Sequence, residues 1–185
     1  MNVSFISAYN TDKNIGGEYN RLIENINDEY IFIKDGDVLF LTPDYGDKIM
    51  DIINSNPEYD IIGCRTNRLA GKHQRVGELN SIPDIDYHIE IANKIWATCG
   101  NLVLPTKINV AAMCMIIKRK VWERIKFPEN NICFDRIFCE KALSLGYKLG
   151  IAQGLYVFHL YRWGHDHPES YTGHLIKNNY GIKGI

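Results

Sequence analysis

An α/β fold around a central sheet is predicted by two features of the chain. Short apolar runs rich in Val, Ile, Phe and Tyr alternate with segments whose apolar residues recur at helical spacing. Hydrophobic residues make up 45% and charged residues 23%, a globular balance, and 185 residues suit one domain with a real core. No run approaches the roughly 20 apolar residues that cross a bilayer, so no integral membrane segment is expected. The formal net charge of -1 supplies no global field for nucleic acid or an acidic membrane, and no nucleic-acid partner is expected. The first residues, MNVSFISAYN, lack the basic and apolar regions of a signal peptide. Cys64, Cys99, Cys114, Cys133 and Cys139 form no C-x-x-C pair and lie mostly in apolar segments, which points to free thiols in a reducing, cytoplasmic setting.

The elements follow in order. Val3 to Ala8 reads as a buried strand, and Tyr9 to Gly17 as a polar loop. Glu18 to Asn27 places Leu22, Ile23 and Ile26 at helical spacing. Tyr30 to Ile33 is a second strand with Asp35-Gly36-Asp37 at its exit. Thr42-Pro43 has the form of an N-cap and a first-turn proline, opening a helix that carries Tyr45, Ile49, Ile52 and Ile53 and stops before Asn56-Pro57. Tyr59 to Cys64 is a third strand. Thr66 to Pro105 mixes basic residues, Gly and Pro around one short apolar piece, Ile89 to Trp96, and yields no assignment. Val110 to Ile117 reads as a strand, Lys118 to Lys126 as a short helix, and Asp135 to Leu145 as a helix with Gly146 at its C-cap. Lys148 to Ile151 and Leu155 to His159 read as two strands, before a tail rich in aromatic residues and histidine.

Asp35 and Asp37 are the first candidates for chemistry. In extended chain, residues i and i+2 point to one side, and Gly36 lets the backbone turn and a ligand approach. Carboxylate oxygens suit Mg²⁺ or Mn²⁺, which complete their shells with phosphate oxygens or water. A polar hairpin turn explains Asp-Gly equally well. His159 ends an apolar strand, where an imidazole can complete a metal site or simply be a hydrogen-bonded structural residue. His165 and His167 lie in a polar stretch just after it. Asp135 opens a helix, where it is either a cap or a general base. Tyr9 and Asn10 follow the first strand, and Asn14, Gly16, Gly17 and Asn20 lead into a helix whose N-terminus favours phosphate. This is neither a P-loop nor a G-x-G-x-x-G turn.

The order of these segments carries more than any one of them. SAYN ends the first strand, NIGGEYNRLI enters a helix, and YIFIKDGDVLFLTP joins a strand to D-x-D. AAMCMIIKRKVWERI supplies a further strand and helix. FDRIFCEKALSLGYKL opens a helix of the form D-x-x-F-C-x-K/R-A through Asp135, Phe138, Cys139, Lys141 and Ala142, and GLYVFHLYRWG ends a strand in histidine. Over most of its length the chain resembles the nucleotide-sugar glycosyltransferases of the GT-A fold, most closely glycosyltransferase family 2 and its relatives.

The resemblance implies a GT-A-like, Rossmann-like central mixed sheet flanked by helices in a single domain. The nucleotide and metal part would span about 1–65, and the acceptor and base part about 66–185. It implies a metal-dependent, inverting hexosyltransferase that uses Mn²⁺ or Mg²⁺, with a UDP-sugar favoured as donor and a saccharide or other hydroxyl as acceptor. Asp37 would be the principal metal ligand and His159 the second, with Asp35 and His165 as further candidates. Asp135 would be the catalytic base. Ser7, Ala8, Tyr9, Asn14, Gly16, Asn20, Asp35 and Gly36 would contact the donor. Trp96 and Trp163 could stack on an acceptor sugar.

The chain also departs from the pattern. Larger relatives have further strand–helix units between the first strand and the glycine-asparagine segment, one of which carries an acid that reads the base. Here Tyr9 and Asn14 are nearly adjacent. The acid pair that often precedes the base is Phe134-Asp135, with one carboxylate, and Lys34 precedes the D-x-D. A non-catalytic nucleotide- or sugar-binding module suits the shortened nucleotide half. A nucleotidyltransferase would want a glycine-rich basic loop after the first strand, where Asn10 to Gly17 holds one lysine. The clustered Asp and His residues raise a metal-dependent hydrolase as well, but fit no hydrolase spacing.

Overall fold

Strand β2 (Tyr30–Lys34) shows how the sequence builds the centre of this fold. Its alternate side chains serve two cores: Ile31 and Ile33 join one cluster, Tyr30 and Phe32 the other. A strand covered on both faces reads as a continuous apolar run, which is how YIFI is written. The computed structural model describes residues 2–161 and 163. Within them β1 (Val3–Ile6), β2, β3 (Val38–Phe40), β4 (Ile61–Thr66), β5 (Val103–Thr106), β6 (Cys114–Lys118) and β7 (Leu149–His159) form one sheet. The strand order is β1-β2-β6-β4-β7-β3, with β5 also paired to β7. β1–β2 and β4–β7 are parallel and the other pairs antiparallel, so the sheet is mixed. The architecture is a single α/β domain with helices on the sheet, as the sequence predicts.

Helices α1 (Ile15–Glu24), α4 (Arg119–Ile125) and α5 (Phe134–Ser144) cover one face. Tyr19, Ile23, Val121, Trp122 and Phe138 pack there with Ile31, Ile33, Met115 and Ile117. On the other face α2 (Tyr45–Ser55) brings Ile49, Ile52 and Ile53 onto Phe32, Ile62 and Ile116. Each such isoleucine contributes roughly 1.5–3 kcal/mol by leaving water. The segment that sequence patterning leaves unassigned holds α3 (Ile85–Cys99), capped by Asp84 through the Tyr87 N–H at 3.1 Å. Its stripe of Ile89, Ala92 and Ile95 packs on Leu41, Tyr156 and Phe158.

Several boundaries differ from expectation. α1 starts at Ile15, because the Asn14 side chain caps the Gly17 N–H at 3.0 Å and the glycines fall inside the first turn. A Cβ at Gly16 would run into the carbonyl of Pro128. Pro43 does not begin α2. Val38–Phe40 pairs as β3, and the helix opens only after Asp44, which holds the buried Lys48 at 2.8 Å. Val110 to Met113 is buried but irregular, so β6 begins at Cys114. The two expected C-terminal strands are one strand, β7. Its register against β4 shifts between Gly63 and Arg65, which lets Gln153 and Gly154 bulge without ending the strand. The Gln153 N–H donates to the Leu102 carbonyl at 2.8 Å, and Gly154 lies so close to the Gly100 carbonyl that no Cβ fits. None of the five cysteines is in a disulfide, and Cys64, Cys114 and Cys139 are buried. Among the described residues no helix is long and apolar enough to cross a membrane.

The approach of Gly154 to Gly100 is directly testable. Gly154→Ala forces backbone to move and is expected to cost about 1–3 kcal/mol, read as a lower urea midpoint at unchanged m value. A wild-type midpoint would show that the bulge does not pack against the end of α3.

Candidate active site

The run of strand residues breaks at Asp35-Gly36-Asp37 because the chain makes a tight turn there. The Asp35 N–H donates to the Met113 carbonyl at 3.0 Å, and the Val38 N–H returns to the Asp35 carbonyl at 3.3 Å. Lys34 closes the turn: its ammonium donates to the carbonyls of Asp35 and Val38, each at 2.9 Å. That cation is held by backbone oxygens rather than by either carboxylate of the turn. Gly36 faces open space, with nothing within 4 Å of where a Cβ would stand.

The turn feeds β3, whose first residue, Val38, pairs with His159 at the end of β7. Asp37 and His159 therefore meet. His159 Nε2 lies 3.3 Å from Asp37 Oδ1, with the imidazole buried and the carboxylate half exposed. The ring's Nδ1 faces the Arg68 carbonyl at 2.9 Å. A carbonyl only accepts, so Nδ1 carries a proton and the neutral ring has its lone pair on Nε2. A lone pair facing a carboxylate calls for a positive species between them, either a proton or a metal ion. Asp35, Asp37 and His159 offer one ligand atom each, all within 4.8 Å of one another, and could hold a metal ion. Two oxygens and one imidazole nitrogen suit Mn²⁺ or Mg²⁺, with the remaining positions open to water or phosphate.

The electrostatics agree with that arrangement. Burial lifts the Asp35 carboxyl from 3.8 to about 6; His159 opposes the shift, and Asp37 and Asp135 add to it. Burial also acts to raise Asp37, but while His159 is the imidazolium, donating from Nε2 and carrying its charge, it outweighs burial and holds Asp37 below its ordinary value.

Asp135 lies in the first turn of α5, inside the N-cap residue Cys133, so it is not the cap. Its carboxylate accepts the Ala112 N–H at 3.2 Å and the Arg136 N–H at 2.7 Å. Burial raises its carboxyl above the ordinary value even though these two donors pull the other way. Asp35, Asp135 and His159 all line one cavity of about 450 Å³, walled by apolar groups such as Leu69, Met113 and Phe134. A carboxylate inclined to take a proton thus shares a pocket with a group suited to a cation.

No protein-family model matches the chain, and no curated protein matches it. Among solved structures, the chain is similar to a mannosyltransferase from Pyrobaculum calidifontis, determined in complex with GDP-mannose and Mn²⁺. The TM-score is 0.50 at 15% identity, over 78% of this chain and 35% of that one. The fold is glycosyltransferase-like. The chain spans about a third of that neighbour's length.

The remaining residues singled out from sequence lie elsewhere. Ser7 and Tyr9 are exposed beyond β1, while Ala8 packs on the core. Asn14 caps α1 and also accepts the Asn130 N–H at 2.8 Å. Asn20 is engaged in packing within the core. Its Oδ1 accepts from Trp122 Nε1 and the Phe127 N–H, and its Nδ2 donates to the Phe127 carbonyl. Trp96 is partly buried against the core beside the Lys48 ammonium, 5.4 Å from the ring centre. Trp163 packs on Phe158 and under Arg68. Neither tryptophan lines the cavity. His165 lies outside the described residues. The segment from Leu69 to Gln74 lies in the part that the resemblance assigns to the acceptor, but no residue of it is singled out there, and Val110 to Met113 reads as strand; both stretches wall the cavity.

The Asp35 shift has a signed consequence. Between its unfolded and folded values the folded chain keeps a proton that the unfolded chain has lost, so this group destabilises the metal-free fold as pH rises from about 4 to about 6. The stability difference between Asp35→Asn and wild type should grow in the variant's favour over that interval and level off above it. Mn²⁺ affinity of the wild type should weaken below about pH 6, as protons compete for Asp35. A stability difference flat with pH would remove Asp35 as the responsible group.

Proposed function

We propose that this protein is a metal-dependent glycosyltransferase of the GT-A type, related to glycosyltransferase family 2. It would move a sugar, with inversion, from a nucleoside-diphosphate sugar to an acceptor hydroxyl. The observation that carries this reading is the single cavity in which Asp135 shares a wall with Asp35 and His159, the latter at 3.3 Å from Asp37. Asp35, Asp37 and His159 would hold Mn²⁺ or Mg²⁺, and the bound cation supplies positive charge to a diphosphate leaving group.

The residues divide the work as follows. Asp135, fixed by two backbone N–H groups, takes the proton of the acceptor hydroxyl as that oxygen bonds to the anomeric carbon. The bond from that carbon to the nucleoside diphosphate breaks on the opposite face, so configuration inverts. A base with a raised pKa is a stronger proton acceptor. Ser7, Ala8 and Tyr9 after β1, with Asn14 at the start of α1 and Gly36 in the turn, are proposed for the nucleotide side. Tyr9, 83% exposed, offers a free ring face for a base. Gly16 and Asn20 are proposed for the same side, and both also contact the segment after α4, at Pro128 and Phe127. Trp96 and Trp163 are proposed for the acceptor side, where their rings could stack on a sugar. The proposed boundary between nucleotide and acceptor parts remains near residue 65, at the end of β4. A UDP-sugar is the favoured donor, and GDP-mannose is the competitor raised by the structural neighbour.

A panel of UDP-, GDP- and dTDP-sugars with Mn²⁺ or EDTA, followed by nucleotide release, tests the reading. Release from one donor, lost in EDTA, is expected. Asp37→Ala should abolish metal-dependent donor binding with the fold intact. Asp135→Asn should keep donor binding while lowering kcat by about 10²–10⁴-fold. Donor binding without any transfer, under every acceptor tried, would favour a sugar-binding module instead.

A further inference from the structure

The imidazole of His159 is held from behind by two residues outside the cation-binding group. The parallel pairing of β4 with β7 ends where Thr66 faces Val157. The next two residues of the β4 chain, Asn67 and Arg68, take over the hydrogen bonding by other means. The His159 backbone N–H donates to Asn67 Oδ1 at 2.8 Å, so a side chain stands in for the ladder. The ring's Nδ1–H donates to the Arg68 carbonyl at 2.9 Å.

Each of these acceptors is itself fixed. Arg68 is only 6% exposed, and its Nη1 donates to the Asn80 carbonyl at 2.7 Å. Its Nε donates to the Tyr161 carbonyl, and its guanidinium carbon sits 5.7 Å from the centre of the Trp163 ring. Asn67 is fully buried; its Oδ1 also accepts from the Thr66 hydroxyl at 3.2 Å. Its Nδ2 has no partner among the described residues. A buried amide with an unpaired N–H₂ is a poor choice for packing alone, because an apolar side chain of the same size would avoid the loss. What the amide supplies and an apolar side chain cannot is the oxygen that holds His159.

We propose that Asn67 and Arg68 are positioning residues. Together they lock His159 as the Nδ1–H tautomer with bare Nε2 directed at Asp37, so the cation-binding group is formed before a cation arrives. The inference rests on the metal-dependent reading above. In metal sites, the hydrogen bond at the far ring nitrogen sets which nitrogen ligates and how the ring is turned.

The test is ¹⁵N-imidazole NMR on the metal-free full chain at about pH 8, where an ordinary imidazole is neutral. Calorimetry of Mn²⁺ binding and thermal melting accompany it. Wild type should show His159 as Nδ1–H alone. Arg68→Met and Asn67→Leu should each give a mixture of tautomers and bind Mn²⁺ about 10–100-fold more weakly while still melting cooperatively. Asn67→Asp keeps the acceptor oxygen and should retain the wild-type tautomer. A wild-type ring protonated at Nε2 overturns the positioning inference alone and needs no variant to fold. An unchanged tautomer and affinity in a folded Arg68→Met or Asn67→Leu also overturns it. Absence of Mn²⁺ binding by wild type overturns instead the metal-dependent reading, and with it the purpose assigned to the tautomer.

Discussion

The antiparallel pairing of Val38 with His159 brings two of the three cation-binding candidates together at once. Strand β7 pairs with β5 and β4 along its first part and with β4 and β3 along its second. Its register is therefore set by three neighbours and by the bulge at Gln153 and Gly154. Side chains alternate faces along a strand, so a slip of one residue would turn His159 away from Asp37. The three-residue strand β3 gains its place through this pairing, and the turn before it inherits its geometry.

Asp135 reaches the same cavity by an independent route. Helix α5 is held by Phe134 and Phe138 against Phe127 and Tyr19, and Tyr19 in turn donates its hydroxyl to the Lys34 carbonyl. One aromatic cluster thus links the helix bearing Asp135 to the strand end that precedes Asp35. Two carboxylates, Asp35 and Asp135, line one cavity as a result, with Asp37 next to its His159, and burial raises both lining carboxyls above their ordinary values. Such a collection is unfavourable for the empty fold. Lys34 relieves it only in part: its charge favours ionised Asp35 and Asp37, but its ammonium is bound to the carbonyls of the turn. An arrangement that destabilises the metal-free chain while offering oxygen and nitrogen ligands is better suited to binding than to folding.

Much of the architecture was legible in local pattern. The continuous apolar run at Tyr30 to Ile33, the helical stripe of Ile49, Ile52 and Ile53, and the buried residues of α5 each announce their element. The D-x-D turn and the strand ending at His159 could be picked out because glycine and charge interrupt apolar runs. The segment from Thr66 to Pro105 could not be read, because its cavity wall is irregular backbone that follows no period, and α3 has apolar residues on more than one side. Asn20 is named as a nucleotide contact by the resemblance alone, and its surroundings could not be read from local pattern. It is buried by Trp122 and Phe127, residues more than a hundred positions away.

The sequence by itself determined the layer class and where the strands break, since both follow from apolar spacing, glycine and charge over a few neighbouring residues. It also marked Asp35, Asp37, Asp135 and His159 as chemistry-bearing. Only the tertiary structure decided which of these meet. Asp37 and His159 lie far apart in the chain and are joined by strand pairing, and the tautomer of His159 depends on a carbonyl at the end of another strand. Such contacts depend on register and on long-range packing, which composition and periodicity do not encode.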